Sequence, residues 1–335
     1  MPKVLLAVPD KFRGTLSARE VARSMARGAS AAGWEVLELP LADGGEGTLD
    51  ALGGANKTTV VTGPLGLPVT AGWRLQGERA VIEMATASGL ALAGGREGND
   101  PWGATTRGTG ELIAEAINQG ARDVIVAVGG SATTDGGAGA LEALSWRPFA
   151  RSGATVRVAC DVKTRFLDAG SVFGPQKGAG DELVPRLRER LEQAAAGYED
   201  RFGIDVRGLE GSGAAGGLAG GLAALGAEIV PGFDLVSTAL GLEGAIARST
   251  AVVTGEGRLD PTSLAGKVVG GVAAMARQQG RPVLAVVGTA VLSHGDPLDF
   301  VSLSEVYGDE RAWAEPAQLV SEVTRVWLAG LSDPG

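Results

Sequence analysis

The chain has 335 residues and a formal net charge of −9, with a pI near 4.9, a balance that excludes broad binding to nucleic-acid phosphates. Its length suggests two domains of ordinary size, and a hydrophobic share of 44% gives each of them a core. A single cysteine, Cys160, permits no internal disulfide and fits a reducing, cytoplasmic compartment, and no stretch reaches the roughly 18 apolar residues of a membrane span.

Val4 to Val8 is a short apolar run that predicts a buried parallel strand, and the apolar run at the N-terminus is too short for a signal peptide. Ser17-Ala18-Arg19-Glu20 has capping-box spacing, so a helix is expected from Ala18 to Ala32, stopping at Gly33. Trp34 to Leu39 predicts a second strand and Gly45 to Leu52 a short helix. This βαβα unit predicts a sheet covered by helices on both faces. The texture then changes to three short strands joined by Gly and Pro turns: Thr58 to Thr62, Val69 to Leu75 and Ala80 to Met84. Helices are expected over Gly108–Gln119, Gly137–Leu144, Asp181–Ala196 and Gly213–Leu225, with strands over Asp123–Val128 and Thr155–Cys160. After Phe233 the βαβ texture returns: strands over Ala251–Thr254, Pro282–Val287 and Phe300–Val306, and helices over Gly266–Gln278 and Pro316–Ala329. The expected fold is α/β, with a Rossmann-like parallel-sheet domain built from both chain ends (1–56 and 235–335) and an inserted mixed α/β domain (57–234).

Glycine is the compositional outlier at 54 residues, about twice average usage. Many glycines fall in turns that also carry a charged residue. Lys177 sits in Phe173-Gly174-Pro175-Gln176-Lys177-Gly178-Ala179; the other such turns are Ala42-Asp43-Gly44-Gly45-Glu46-Gly47, Gly129 to Gly137, and Thr254-Gly255-Glu256-Gly257-Arg258-Leu259-Asp260. Glycines let backbone N–H groups approach a ligand, and carboxylates hold a hard cation, so these turns together suggest a site handling phosphate and Mg²⁺.

Asp10-Lys11-Phe12-Arg13-Gly14 follows the first strand, where open α/β sheets bind ligands, and Lys11 and Arg13 suit a carboxylate or phosphate; a solvated basic turn is the plain alternative. Asp43 with Gly44 and Gly45 follows the second strand and suits Mg²⁺ or a substrate hydroxyl, against an N-cap role for Asp43. In the Gly129–Gly139 turn, Gly129, Gly130, Ser131, Thr133 and Gly136 offer amides and hydroxyls to an anion. Asp135 in that turn is either a metal ligand, a general base or a helix cap. Gly211-Ser212-Gly213-Ala214-Ala215-Gly216 matches G-x-G-x-x-G without a clear preceding strand, leaving phosphate contact by Gly213 and close helix packing both open. Lys267 follows Gly266 but precedes Val268, so a Walker A loop is excluded while Lys267 still suits a phosphate. His294 is the only histidine and no G-x-S-x-G elbow exists, which leaves His294 as a surface-loop residue rather than a hydrolase base.

In this order the motifs resemble those of the bacterial glycerate kinase family, from Pro9-Asp10-Lys11-Phe12-Arg13-Gly14 to Gly266-Lys267. Between them lie Ala42 to Thr48, Gly108-Thr109-Gly110-Glu111-Leu112-Ile113, Gly129 to Gly139, Ala159-Cys160-Asp161-Val162, Phe173 to Ala179 and Gly211 to Gly217. The resemblance implies a cytoplasmic two-domain α/β kinase, monomer or homodimer, that phosphorylates D-glycerate with ATP and Mg²⁺, 2-phosphoglycerate being favoured over 3-phosphoglycerate. It implies that ATP phosphates meet the Gly129–Gly139 turn, Lys177, Gly213 and Lys267. It also implies Mg²⁺ held among Asp43, Asp135 and Asp161, and glycerate's carboxylate held by Lys11 or Arg13 beside Asp10, Gly44 and Gly45. Asp135 is the preferred base, with Asp43 as the alternative. The chain departs from the family pattern in three places: Ser145 to Gly153 is short, Lys163-Thr164-Arg165 stands where Asn-Pro-Leu is usual, and Thr262 replaces a Gln. A nucleotide-dependent oxidoreductase and a non-catalytic sugar-acid or nucleotide sensor are the competing readings.

Overall fold

The strands follow one another as β1 (Val4–Pro9), β2 (Glu35–Glu38), β3 (Lys57–Thr62), β4 (Pro68–Gln76), β5 (Arg79–Glu83), β6 (Asp123–Ala127), β7 (Thr155–Ala159), β8 (Glu228–Val230), β9 (Ala251–Leu259), β10 (Val283–Ala290) and β11 (Phe300–Ser302). They come from a computed structural model that describes residues 3–264, 267–292 and 298–332; His294 and Gly266 lie outside the described residues. The fold is α/β, with one parallel and one mixed sheet in two units: Met1–Asp43 with Phe233–Gly335, and Gly44–Gly232.

In the first unit the strand order is β11-β10-β9-β1-β2, every pair parallel. β1 is central, and Leu5 to Val8 are fully buried, as an apolar run without alternation requires of a strand covered on both faces. The helix Ala18–Ala31 opens with the expected capping box: Glu20 N donates to Ser17 Oγ at 3.3 Å and Ser17 N to Glu20 Oε2 at 2.8 Å. Its apolar face packs through Val21, Met25 and Ala29. A Cβ on Gly28 would lie 2.2 Å from the Ser321 carbonyl, so this helix meets Pro316–Ser332 backbone to backbone. β11 is shorter than the expected Phe300–Val306: Ser302 accepts a hydrogen bond from Glu305 N and starts the helix Leu303–Tyr307.

In the second unit the order is β3-β4-β5-β6-β7-β8. β3, β4 and β5 form the antiparallel meander, and β5 to β8 run parallel. Residues 44–56, grouped above with the parallel-sheet domain, fall in this unit, where Gly47 N and Leu49 N both donate to Glu83 Oε2 at 3.1 Å. The expected helix over Gly213–Leu225 is instead a 3₁₀ turn, Ala214–Gly217, followed by Leu218–Ala224. The break comes from Ala215 and Gly216, at φ 53° and 67°. A Cβ on Gly216 would stand 2.0 Å from the Thr133 carbonyl, so a continuous helix has no room there. The helix expected over Asp181–Ala196 runs from Leu183 to Phe202, stopped by Gly203 at φ 70°.

Ser145 and Trp146 both adopt positive φ, 53° and 56°. Trp146 N closes the end of the preceding helix on Leu141 O at 2.8 Å, and its ring lies 6.2 Å from that of Tyr198. The shortened segment therefore makes its turn through two left-handed residues that are not glycine, each strained by about 1–2 kcal/mol. Ser145 is exposed. Ser145→Gly should raise stability by about 0.5–1 kcal/mol, read as a higher urea midpoint at unchanged slope.

Candidate active site

At the carboxyl edge of the first unit's sheet, Pro9 stands opposite Gly255 and Asp10 N donates to Gly255 O at 2.8 Å. Leu41 N donates to Pro9 O at 3.0 Å and carries the chain past β2 to Asp43. This register brings Asp10, Asp43 and Glu256 to one edge, the ligand-binding end of an open parallel sheet. Burial raises the Asp10 carboxyl to about 6; Asp43 pushes the same way, and the Lys11 amide, donating to Asp10 Oδ1 at 2.7 Å, opposes it. Burial likewise raises Glu256 to about 7, with Asp10 and Asp260 adding to the rise while the Ser263 hydroxyl and Lys267 oppose it. Glu256 Oε1 is buried and has no hydrogen-bond partner among the described residues.

Asp260 is held differently. Thr262 donates both its hydroxyl, at 2.6 Å, and its amide, at 2.8 Å, to Asp260 Oδ1, and these bonds keep the carboxyl below its usual range. The family Gln is absent, and the threonine in its place orders this turn. Lys11 and Arg13 flank the buried Phe12, whose N–H donates to Leu16 O at 2.8 Å in a tight turn. Arg13 is exposed, while Lys11 and Lys267 are half-buried. Sequence reasoning passed over Glu256, although its Gly-Glu-Gly motif was visible, because register rather than spacing sets it beside Asp10.

In the second unit, Val128 N donates to Gly44 O at 3.2 Å, and a Cβ on Gly129 would meet Gly45 Cα at 2.7 Å. The Gly44-Gly45 and Gly129-Gly130 turns thus touch backbone to backbone at the carboxyl ends of the parallel strands. The amides of Gly129, Gly130 and Ser131 donate to no protein acceptor among the described residues. Three successive N–H groups of this kind suit an anion.

Below the Gly129–Ser131 rim the turn is filled by protein. Asp135 is 2% exposed. Its Oδ2 accepts from Thr106 N, Thr106 Oγ1 and Gly139 N at 2.9, 2.8 and 3.2 Å, and its Oδ1 accepts from Gly137 N at 3.0 Å. These bonds occupy both oxygens, so the expected base and metal ligand is instead an internal cap that fixes the turn on two helix starts. Lys177 is 1% exposed, and its Nζ donates to Thr133 O at 2.6 Å. Burial pulls its ammonium down to about 7 against the pull of Asp135. Lys177 braces the turn from within.

Three further expectations change. Gly136 N is spent on Gly216 O at 3.0 Å, and Thr133, fully buried, donates its hydroxyl to Ala215 O at 3.3 Å. Gly213 N is spent on Thr164 O at 3.0 Å, and a Cβ there would lie 2.3 Å from Arg165 O. The G-x-G-x-x-G match is therefore close packing, and the dinucleotide reading loses its support. Asp161 Oδ1 accepts from Gly232 N at 2.7 Å, at the start of the helix Gly232–Leu240. No three His, Cys, Asp or Glu side chains among the described residues are grouped to hold a metal ion. Among the described residues no helix is long and apolar enough to cross a membrane.

The glycerate kinase family matches this chain over residues 5–157 and 150–319. Those two segments overlap at 150–157, at the end of the stretch Ser145 to Gly153. A protein of Escherichia coli K12 described as glycerate 2-kinase is 39% identical over 326 residues, covering 86% of this chain and 85% of its own. A glycerate kinase of Bacillus subtilis is 37% identical, covering 96% of each chain. A crystal structure from Salmonella typhimurium LT2, assigned as a candidate glycerate kinase 2, superposes with a TM-score of 0.83 at 34% identity, covering 99% of both chains.

Two outcomes follow from these environments. Lys177→Ala should destabilise the fold by about 2–4 kcal/mol by opening a cavity beneath Thr133, read by urea unfolding. Glu256 has a folded pKa above its unfolded value of 4.5, so its contribution to stability is lost as pH rises from about 4.5 to about 7. Glu256→Gln should therefore match the wild type near pH 4 and be more stable at pH 8 by roughly 1–3 kcal/mol, read as unfolding free energy against pH.

Proposed function

The chain belongs to the glycerate kinase family, and from that premise we propose that it transfers the γ-phosphoryl group of ATP, brought with Mg²⁺, to a hydroxyl of D-glycerate, giving 2-phosphoglycerate. As a phosphotransferase with an alcohol acceptor, it acts on small molecules and takes a nucleotide as donor. The observation that carries the reading is the row of unengaged amides at Gly129, Gly130 and Ser131. Backbone N–H groups in succession cradle phosphate oxygens without side-chain charge, and glycine lets the phosphate approach the chain.

The acceptor is assigned to the first unit's sheet edge. Lys11 and Arg13 pair with glycerate's carboxylate, Arg13 by its planar fork. Asp10 and Asp43 stand beside them to receive hydrogen bonds from the hydroxyls. Lys267, half-buried at the helix start, meets developing negative charge on the transferring group. Gly44 and Gly45, whose backbone abuts Gly129, shape the phosphate rim within the second unit.

Among the described residues no three His, Cys, Asp or Glu side chains are grouped to cage a divalent cation. Mg²⁺ is accordingly taken as part of the nucleotide substrate, held by phosphate oxygens and water, the usual manner of this ion. It neutralises charge on the triphosphate as the phosphoryl group moves. The protein's own contribution is positioning and electrostatic stabilisation, which carry most of the catalysis in phosphoryl transfer. A cytoplasmic setting is consistent with Cys160, a buried thiol pushed up to about 11 by burial.

An assay coupled to ADP release, run over a panel of hydroxy acids, tests the function: D-glycerate should give the highest kcat/KM, and ³¹P NMR of the product should show phosphate on the 2-hydroxyl. Absence of ADP release with glycerate refutes the reading. Arg13→Ala should raise the KM for glycerate at least about tenfold with little change in the KM for ATP, since a charge-assisted bond is worth about 1.5–3 kcal/mol.

A further inference from the structure

Glu256 is a carboxylate on an interior strand of the parallel sheet, flanked by β1 and β10. Its neighbour Gly255 packs against the Ala18–Ala31 helix, since a Cβ there would stand 3.3 Å from the Met25 methyl. Strand alternation sends Glu256 to the opposite face, toward Ser263 and Lys267. One oxygen is held by the Ser263 hydroxyl, while Oε1 is buried and accepts no hydrogen bond among the described residues. A buried carboxylate oxygen left without a donor costs about 1–3 kcal/mol or more, so its persistence points to a donor that arrives with a ligand.

We infer that Glu256 is a catalytic residue of this kinase, its Oε1 accepting the hydrogen of the glycerate hydroxyl that attacks the nucleotide. This rests on the glycerate reading above and deepens it. In the step, the hydroxyl oxygen forms a bond to the γ-phosphorus as the bond from that phosphorus to the β,γ-bridging oxygen breaks. The bonding pair leaves on the nucleoside diphosphate, and the hydroxyl proton passes to Glu256, which later releases it to water. The charged and titratable groups facing Glu256 are Asp10 beyond β1, Asp260 on its own strand's extension, and Lys267 at the start of the Val268–Gln278 helix. Burial raises its affinity for a proton most, the two acids add to the rise and the Ser263 hydroxyl and Lys267 oppose it, placing a base at about 7, where transfer is efficient near neutral pH. Asp135, whose two oxygens both accept protein hydrogen bonds, has no equivalent unpartnered oxygen.

The test compares wild type, Glu256→Gln and Glu256→Asp with D-glycerate and MgATP. Glu256→Gln keeps the shape and should lower kcat at least about 100-fold with the KM for ATP within threefold, since a general base is worth about 10²–10⁴ in rate. Glu256→Asp should recover part of that loss. The wild-type kcat/KM should fall below about pH 7, and the glutamine variant should lack this limb. A kcat for Glu256→Gln within tenfold of wild type, or a glutamine variant that melts below wild type at pH 8, overturns the inference while leaving the glycerate reading intact. Failure of the wild type itself to phosphorylate glycerate defeats the reading on which the inference rests.

Discussion

Parallel pairing is the constraint on which both units depend. A parallel strand returns through a crossover, so its carboxyl ends gather on one edge and its loops there are free to carry chemistry. The same edge is where ladder hydrogen bonds run out. The second unit meets that deficit with carboxylates: buried Glu83 takes the amides of Gly47 and Leu49, buried Asp135 those of Gly137, Gly139 and Thr106, and part-buried Asp161 that of Gly232. Above these pinned loops, the amides from Gly129 to Ser131 donate to no protein acceptor among the described residues.

The first unit uses its carboxylates in the opposite sense. Asp10 receives one backbone amide, and Glu256 Oε1 receives nothing from the described residues. Burial raises Asp10 and Glu256 into the neutral range, and neighbouring carboxylates add to the rise. Acids of one chemical type therefore cap backbone amides in one unit and titrate in the other.

Much of the architecture was legible in the sequence because it is written in local patterns. The apolar runs from Val4 and Ala251 need two covered faces, and the Ser17–Glu20 capping box fixes a helix start by chemistry confined to four residues. The Pro and Gly punctuation after Thr62 marks a meander. What sequence could not supply was long-range. Lys177 stands in a glycine-rich turn that looks built for phosphate, and only the fold shows its amine spent on the Thr133 carbonyl. Gly213 fits a dinucleotide fingerprint, yet its neighbour is the carbonyl of Arg165, distant in sequence. Glu256 was visible in its motif, but its meaning depends on standing next to Asp10, some 250 residues away, through the pairing of β1 with β9. Spacing along the chain cannot encode which carboxylate is enclosed and which is open.

Thr262 fixes one of the charges that bear on Glu256. Its hydroxyl and amide hold Asp260 in its ionised form. That fixed charge presses a proton onto Glu256, and Lys267 partly cancels the pressure. Without the lysine, two acids and burial would hold the Glu256 proton more tightly, leaving less of the ionised form at neutral pH to act as a base. Without Asp260, the carboxylate would ionise more readily and be a weaker base. Burial sets most of the basicity, the charges around it adjust it, and the threonine keeps one of those charges in place by donating to the same carboxylate oxygen twice.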